Sequence, residues 1–186
     1  MGEKRFRLDF AIALGALLIS SVAAVATVYQ TRVIASEFSA TVWPYVSFDT
    51  SYSPSLVEVD VRNDGLGPAI IRSVKLTWDG KPQASLEALF AMVAARNPRA
   101  VSAVRTALRA GSRIKLTTST PTPGMVIPAN AQHVIVRMEG GELISLFRPS
   151  LQRFGLSLCY CSLTGSCWIQ RFQRTDQEPS AVRSCA

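Results

Sequence analysis

An uncharged run from Phe10 to Tyr29 limits how this chain can fold more than any other feature of its sequence. The run is 20 residues long, and about 20 residues of α-helix cross a hydrocarbon core roughly 30 Å thick. Because lipid offers no hydrogen-bonding partner to backbone groups, such a run must be helical. We therefore predict a transmembrane helix over residues 10–29, preceded by a short N-terminal segment over 1–9.

The charges that flank this run predict its orientation. Lys4, Arg5 and Arg7 precede it, whereas only Arg32 follows it before Arg62. Positive charge is retained on the cytoplasmic side of a membrane. The N-terminus is therefore predicted to be cytoplasmic and the remainder of the chain to lie on the other side.

A cleaved signal peptide is the alternative to a retained anchor. Ala24-Val25-Ala26 has the small-x-small form of a cleavage site. The apolar character continues through Val28 and Tyr29, which is longer than the usual apolar region of a signal peptide. The length of the run favours a retained anchor.

After the anchor, the sequence predicts three more regions. Residues 30–41 contain no Pro or Gly and place Val33, Ile34 and Phe38 at helical spacing, which predicts a helical stalk. Residues 42–175 are expected to form the soluble domain. Residues 176–186 are polar and are predicted to form a loose tail, held to the domain only where Cys185 forms a disulfide.

Alternating residues predict two strands at the start of the soluble domain. Val57, Val59 and Val61 alternate with charged residues, as in a half-buried strand. The segment 63–68, Asn-Asp-Gly-Leu-Gly-Pro, is a dense turn signal, and a second strand follows over 69–78. We expect these two strands to be adjacent and antiparallel, with Asp79-Gly80 forming a further hairpin turn.

Residues 84–110 return to a helical period and predict a helical-hairpin insertion. Asn97-Pro98 separates its two helices, and Val101, Val104 and Leu108 are predicted to form the buried stripe of the second. The insertion is expected to cover one edge or end of the sheets. Strand patterns resume over 113–118, 133–138, 155–162 and 167–174, and residues 142–147 are ambiguous. The fold class predicted is mainly β: an antiparallel sandwich of about seven strands.

The turn and its flanking segments carry a resemblance to a known family. The motif Asn63-Asp64-Gly65-Leu66-Gly67-Pro68-Ala69, followed by a strand and Trp78-Asp79-Gly80-Lys81, resembles the early hairpin of bacterial immunoglobulin-like (CARDB-like) sandwiches. An N-terminal anchor followed by Val42-Trp43-Pro44-Tyr45 is similar to uncharacterised bacterial single-pass envelope proteins. The resemblance covers about residues 42–81. It implies an immunoglobulin-like sandwich in the periplasm, anchored in the bacterial inner membrane, with a binding or assembly role.

The four cysteines all lie near the C-terminal end, at Cys159, Cys161, Cys167 and Cys185. An even number in a domain placed outside the cytoplasm predicts disulfides. Cys159 and Cys161 share one face of a strand and are poorly placed to bond each other. The favoured pairing is Cys161–Cys167 with Cys159–Cys185, and the alternative is Cys159–Cys167 with Cys161–Cys185. The spacing fits neither zinc knuckles nor a Cys-x-x-Cys redox motif.

Basic residues cluster in the insertion and just after it. No acidic residue lies between Ala88 and Glu139. The predicted partner-binding residues are Arg99, Arg105, Arg109 and Arg113. This cluster is either a merely solvated face or a docking surface for an acidic partner, an anionic glycan or phospholipid head groups. Nucleic acid is not expected, because aromatic residues do not interleave with the basic ones.

Nothing in the sequence predicts an enzyme, and no catalytic residue, metal ligand or cofactor is assigned. Phosphate-binding loops, nucleophile elbows and zinc-protease motifs are missing, and the single His133 has no predicted catalytic neighbour. We expect a non-catalytic accessory or structural subunit that contacts the lipid bilayer and other membrane-protein subunits. The alternative is a membrane-tethered periplasmic binding module for an envelope ligand, glycan or acidic partner, with a pocket lined by aromatic residues such as Trp43, Tyr45, Trp78 or Trp168.

Overall fold

The computed structural model describes residues 2–172 and 178–185 and divides the chain into two compact units, Met1–Thr41 and Val42–Ala186. The first unit is one continuous helix, α1 (Gly2–Thr41). Among the described residues, only its segment Ile12–Thr41 forms a helix long and apolar enough to span a membrane. Its large apolar side chains are exposed, as expected of a helix that suits lipid or an apolar partner on every side.

Polar side chains within α1 satisfy their hydrogen bonds inside the helix. The hydroxyl groups of Ser20, Ser21, Thr27 and Thr31 each donate to the backbone carbonyl four residues earlier, at 2.8–2.9 Å. A hydroxyl group bonded in this way carries no unsatisfied polar atom into an apolar medium. The predicted long apolar helix is confirmed.

The second unit is β-rich, and its described residues form ten strands in two antiparallel sheets. The strands are β1 (Val46–Tyr52), β2 (Leu56–Asn63), β3 (Ala69–Trp78), β4 (Lys81–Gln83), β5 (Lys115–Thr118), β6 (Val126–Ile127), β7 (Gln132–Glu139), β8 (Phe154–Cys161), β9 (Cys167–Phe172) and β10 (Ser180–Val182). The first sheet has the order β1-β2-β7-β5. The second has the order β10-β9-β8-β3-β4, with β6 also paired to β3. The prediction of a β-rich domain built from antiparallel strands is confirmed.

The predicted pairing of the second and third strands is wrong. β2 pairs with β1 and β7, whereas β3 pairs with β8 and belongs to the other sheet. The segment between them therefore carries the chain from one sheet to the other rather than reversing it within a sheet. The Asp79-Gly80 turn does form a hairpin, in which Trp78 on β3 lies opposite Lys81 on β4.

The strand count and the tail also differ from the prediction. Three of the ten strands are only two or three residues long, and such strands depend on a neighbouring strand rather than on a pattern of their own. The tail is less loose than expected, because β10 pairs with β9. Thr175 and the residues beside it, 173–177, lie outside the described residues.

Four helical segments accompany the sheets. They are α2 (Leu86–Arg96), α3 (Pro98–Arg109), α4 (Gly141–Phe147) and a 3-10 helix (Arg148–Arg153). Ser85 caps α2 by accepting a hydrogen bond from the Ala88 N–H at 3.1 Å. Asn97 precedes α3 but makes no side-chain capping bond to it; its Nδ2 donates to the Val93 carbonyl in the last turn of α2, at 2.8 Å.

A single hydrophobic core is shared by both sheets and by the insertion. Val61 and Ile135 of the first sheet and Ile71 and Leu158 of the second have no exposed surface. Helix α2 buries Leu86, Leu89, Phe90 and Val93 against this core, and the Phe90 and Phe147 rings meet edge to face at 4.7 Å. The insertion is therefore part of the core and does more than cover an edge.

Candidate functional site

The predicted basic residues lie together on the insertion and in the segment that follows it. Arg99, Arg105 and Arg109 are exposed on α3, and Arg113 is exposed shortly before β5. Among the described residues, no carboxylate lies within ion-pair distance of these four guanidinium groups. We call Arg99, Arg105, Arg109 and Arg113 the basic face.

The apolar stripe of α3 is not buried as predicted. Val101 and Val104 are only half-buried, and Leu108 is 49% exposed. The reason is the position of the helix: α3 packs against α4 and α2, while α2 occupies the place over the core. Helix α3 therefore presents apolar surface beside unpaired positive charge.

A shallow depression of about 430 Å³ lies between α2 and α3. It is lined by Ala94, Ala95, Pro98, Val101, Ser102 and Arg105. The depression adjoins the basic face through Arg105. A partner that binds here would meet apolar contact and positive charge on one surface.

A larger cavity of about 1030 Å³ lies between the two sheets and the insertion. Its walls come from both sheets, α2, α4 and the 3-10 helix, and include Phe48, Trp78, Phe90, Met138, Phe147 and Phe172. Exposed polar residues, among them Asp49, Arg148 and Gln152, also line it. Because the core residues beside it have almost no accessible surface, the cavity is an open one, bounded mainly by half-buried and exposed side chains.

Trp78 supplies a buried polar atom without a partner in the wall of this cavity. The residue is 5% exposed, and its indole Nε1 donates to no acceptor in the part of the chain that the structure describes. The Arg153 guanidinium lies over the indole ring, 5.0 Å from its centre. Asp79 holds Arg153 there by accepting a 2.8 Å hydrogen bond from its Nε.

The other predicted pocket aromatics do not line this cavity. Trp43, Tyr45 and Trp168 form a separate cluster with Tyr160, in which the Trp43 ring lies 5.5 Å from Tyr45 and 6.5 Å from Trp168. The Tyr160 hydroxyl is buried and accepts a 3.2 Å hydrogen bond from the Val46 N–H. Burial raises the pKa of Tyr160 to about 12.

Sequence reasoning gave Asn63 no role beyond the turn, but its side chain joins three separate segments. Asn63 is fully buried. Its Oδ1 accepts from the backbone N–H groups of Tyr45 and Gly65, each at 3.1 Å. Its Nδ2 donates to the carbonyls of Gly67, Ile127 and Pro128 at 2.8–3.2 Å. The two parts of the sequence motif, 42–45 and 63–67, are therefore bound to each other through this residue.

The cysteines form two neighbouring disulfides, Cys159–Cys185 and Cys161–Cys167. Cys161 and Cys167 lie directly opposite each other across the β8–β9 hairpin. The sulfur atoms of Cys161 and Cys185 lie 3.7 Å apart, and those of Cys161, Cys167 and Cys185 fall within 4.8 Å of one another. All four sulfur atoms are engaged in disulfides, so none is a free thiolate that could act as a metal ligand or nucleophile in this structure.

His133 takes part in a backbone contact. It lies on β7, half-buried, with Nε2 at 3.0 Å from the carbonyl oxygen of Ser119. This bond joins β7 to the segment after β5. The contact is structural in character.

Asp60 is a buried carboxyl group on β2, and its surroundings disfavour the ionised form of the side chain. It is 8% exposed, and it lies opposite Asp49 across the β1–β2 pairing. Desolvation, followed by the charges of Asp49 and Glu58, raises the pKa of Asp60, and a backbone hydrogen bond and the charge of Arg62 only partly offset this. Because the folded protein binds this proton more tightly than the unfolded chain, the contribution of Asp60 to stability falls as pH rises above the ordinary value of 3.8.

We predict that Asp60→Asn raises the unfolding temperature at pH 7 and has little effect near pH 3. The amide keeps the shape of the carboxyl group but carries no charge to desolvate. Thermal unfolding of the full chain, followed by tryptophan fluorescence across this pH range, measures the difference. Glu178→Gln, which removes one charge at an exposed residue, is the control. A variant less stable than the parent protein at pH 7 would contradict the prediction.

Comparison of the chain with family models, with curated proteins and with solved structures gave no match.

Proposed function

We propose that the protein is a non-catalytic, single-pass membrane protein that serves as an accessory or structural subunit of a larger bacterial inner-membrane assembly. In this proposal α1 contacts lipid and the helices of other subunits. The domain from Val42 onward lies in the periplasm and docks on an acidic partner through the basic face. The observation that carries the proposal is α3, which combines a half-exposed apolar stripe with unpaired arginines.

Two independent features support the proposed location. The cationic residues Lys4, Arg5 and Arg7 precede the apolar run, which favours a cytoplasmic N-terminus. Two disulfides in the second unit favour an oxidising compartment for it, such as the bacterial periplasm.

We also propose that the second unit is an immunoglobulin-like sandwich of the CARDB-like type. Two antiparallel sheets that share one core, with consecutive strands β2 and β3 in different sheets, support this assignment. Sandwiches of this architecture bury their inner faces and leave outer faces and end loops for binding. A binding role follows from that architecture only by analogy.

A second function, a membrane-tethered binding module, is favoured by one specific observation. The cavity of about 1030 Å³ is comparable in volume with small-molecule sites, although it is open to the surface and has polar as well as apolar lining residues. The two functions are compatible on one chain, because the cavity and the basic face use different residues.

Charge reversal on the basic face tests the docking proposal. The triple variant Arg99→Glu, Arg105→Glu, Arg109→Glu should reduce the recovery of the partner by about tenfold or more when the full chain is purified from its native membrane in mild detergent. The physical reason is that like charges would then face each other across the interface.

The matched control applies the same charge change elsewhere. Arg72→Glu, Lys75→Glu and Arg171→Glu are exposed positions on β3 and β9, away from the insertion. We expect this control to retain the partner. Equal loss of the partner from both triple variants would show a nonspecific charge effect and contradict docking through α3.

A further inference from the structure

The two disulfides are in contact with each other beside the β8–β9 hairpin. Cys185 Sγ is bonded to Cys159 and lies 3.7 Å from Cys161 Sγ, which belongs to the other disulfide. Two sulfur atoms at this distance are in van der Waals contact. The separation is close to the roughly 3–3.5 Å at which reacting atoms are well placed for bond formation.

The geometry of β8 explains this contact. Side chains two residues apart on a strand point to the same face, so Cys159 and Cys161 are both presented to Cys185. Cys161 also lies directly opposite Cys167 on β9. Cys161 therefore has two sulfur atoms within reach, those of Cys167 and Cys185, although it can be bonded to only one of them at a time.

The exposure of the four cysteines indicates where a reductant can begin. Cys185 is half-buried, whereas Cys159, Cys161 and Cys167 are all buried. Disulfide exchange starts when a thiolate attacks a sulfur atom that it can reach. We therefore expect the disulfide Cys159–Cys185 to be attacked first, at the Cys185 sulfur.

We propose that the two disulfides form a redox switch, in which Cys185 changes its partner from Cys159 to Cys161 when a dithiol reductant supplies two electrons. One thiolate of the reductant attacks Cys185 Sγ, and Cys159 leaves as a thiolate that takes up a proton. The second thiol of the reductant loses its proton, closes the reductant's own disulfide and releases Cys185 as a thiolate.

The released Cys185 thiolate completes the exchange. It attacks Cys161 Sγ, the Cys161–Cys167 bond breaks, and Cys167 leaves as a thiolate that takes up a proton. The products are the disulfide Cys161–Cys185, thiols at Cys159 and Cys167, and the oxidised reductant. Two electrons have passed from the reductant to the protein, and both protons lost by the reductant are balanced by the two new thiols.

The exchange keeps the C-terminal tail attached to the domain during mild reduction. Strand β10 is only three residues long, and no residue in the described part of the tail, 178–185, is buried. The disulfide of Cys185 is therefore the main attachment of this segment. Reduction of both disulfides should free the tail and leave the edge of β9 unpaired.

Stepwise reduction of the full chain in mild detergent tests this inference. The protein is treated at about pH 8, where thiolates form, with less than one equivalent of dithiothreitol. It is then alkylated, digested without further reduction and mapped by mass spectrometry. We expect Cys161–Cys185 in at least about a tenth of the chains that retain a single disulfide, with Cys159 and Cys167 alkylated. Detection of only Cys161–Cys167 or Cys159–Cys185 in these chains would overturn the switch.

Two variants isolate the contact between the disulfides. Cys167→Ser leaves Cys161 as a thiol beside Cys185, so both Cys159–Cys185 and Cys161–Cys185 should be found, in a ratio independent of protein concentration. Cys161→Ser removes the sulfur atom nearest to that pair, and Cys159–Cys185 should then be the single pairing. Cys159–Cys185 alone in Cys167→Ser, or equally extensive exchange in Cys161→Ser, would contradict the role assigned to Cys161. These results do not depend on docking through the basic face, which contains no cysteine.

Discussion

Replacement of Asn63 by alanine should destabilise the domain by about 3–5 kcal/mol, a large part of the 5–15 kcal/mol typical of a whole domain. The side chain is fully buried and satisfies two backbone N–H groups and three carbonyls. Alanine would leave these groups buried without partners, and each such group costs about 1–3 kcal/mol unless water reaches it. Chemical denaturation of the full chain, with intact disulfides, measures the loss.

Asn130 provides a matched control within the same region. Its backbone N–H donates to the Asn63 carbonyl at 2.8 Å, and its φ of 57° lies in the left-handed region. Asn130→Gly keeps the backbone bond and suits that conformation, so a change of less than about 1 kcal/mol is expected. A loss below about 1 kcal/mol for Asn63→Ala would refute the structural role assigned to Asn63.

Replacement of Gly67 by alanine should have a comparable effect, about 2–4 kcal/mol, because backbone occupies the space for a side chain. A Cβ atom at Gly67 would overlap the carbonyl group of Val42 and lie 2.6 Å from its Cα atom. Neither neighbour is a flexible side-chain end, so the segment 42–45 would have to move. The Gly67 N–H, which donates to the Trp43 carbonyl at 3.2 Å, would lose that bond.

Gly141→Ala is the control for this substitution. Gly141 begins α4, and the nearest atom to a Cβ there is the Pro54 carbonyl oxygen at 3.5 Å, which is ordinary contact. Alanine should be neutral or stabilise by up to about 1 kcal/mol, because it is the better helix former. The emission maximum of the three tryptophans together should shift to longer wavelength in Gly67→Ala, because Trp43 moves with this segment. Equal stability of the two alanine variants would contradict the close approach.

Local patterns predicted the elements that depend on neighbouring residues in the sequence. The apolar run predicted α1, and the 3.6-residue period predicted α2 and α3 with a break at Asn97-Pro98. The alternation in β2 and β3 and the hairpin between β8 and β9 could also be predicted. In each case the burial pattern repeats along a continuous segment, so the sequence carries it directly.

Features that depend on distant residues could not be predicted. The turn after Asn63 contains the residues of a tight hairpin, yet the chain crosses to the other sheet, because the turn binds Trp43 and Tyr45. Asn63 also bonds to Ile127 and Pro128, more than sixty residues away. The stripe of α3 looked buried because its period matches a core-facing helix, but α2 holds that position.

The cavity, like these features, could not be predicted from the sequence. The sequence named Trp78 as one of four possible pocket aromatics, and the structure buries it at the edge of the cavity. That its N–H has no partner among the described residues, and that apolar side chains from nine helices and strands meet around the cavity, depends on packing across the whole domain. The basic face was predictable because its arginines are close in sequence.

Site-specific photocrosslinking in native membranes tests the docking proposal most directly. A photoreactive amino acid is placed at Ser102 or Thr106, which are exposed on α3, and at Arg72 on β3 as the control position. We predict one discrete crosslinked protein, with an acidic surface, from both α3 positions and none from Arg72. Crosslinks from the α3 positions to lipid alone, or no crosslinks at all, would contradict docking through the basic face.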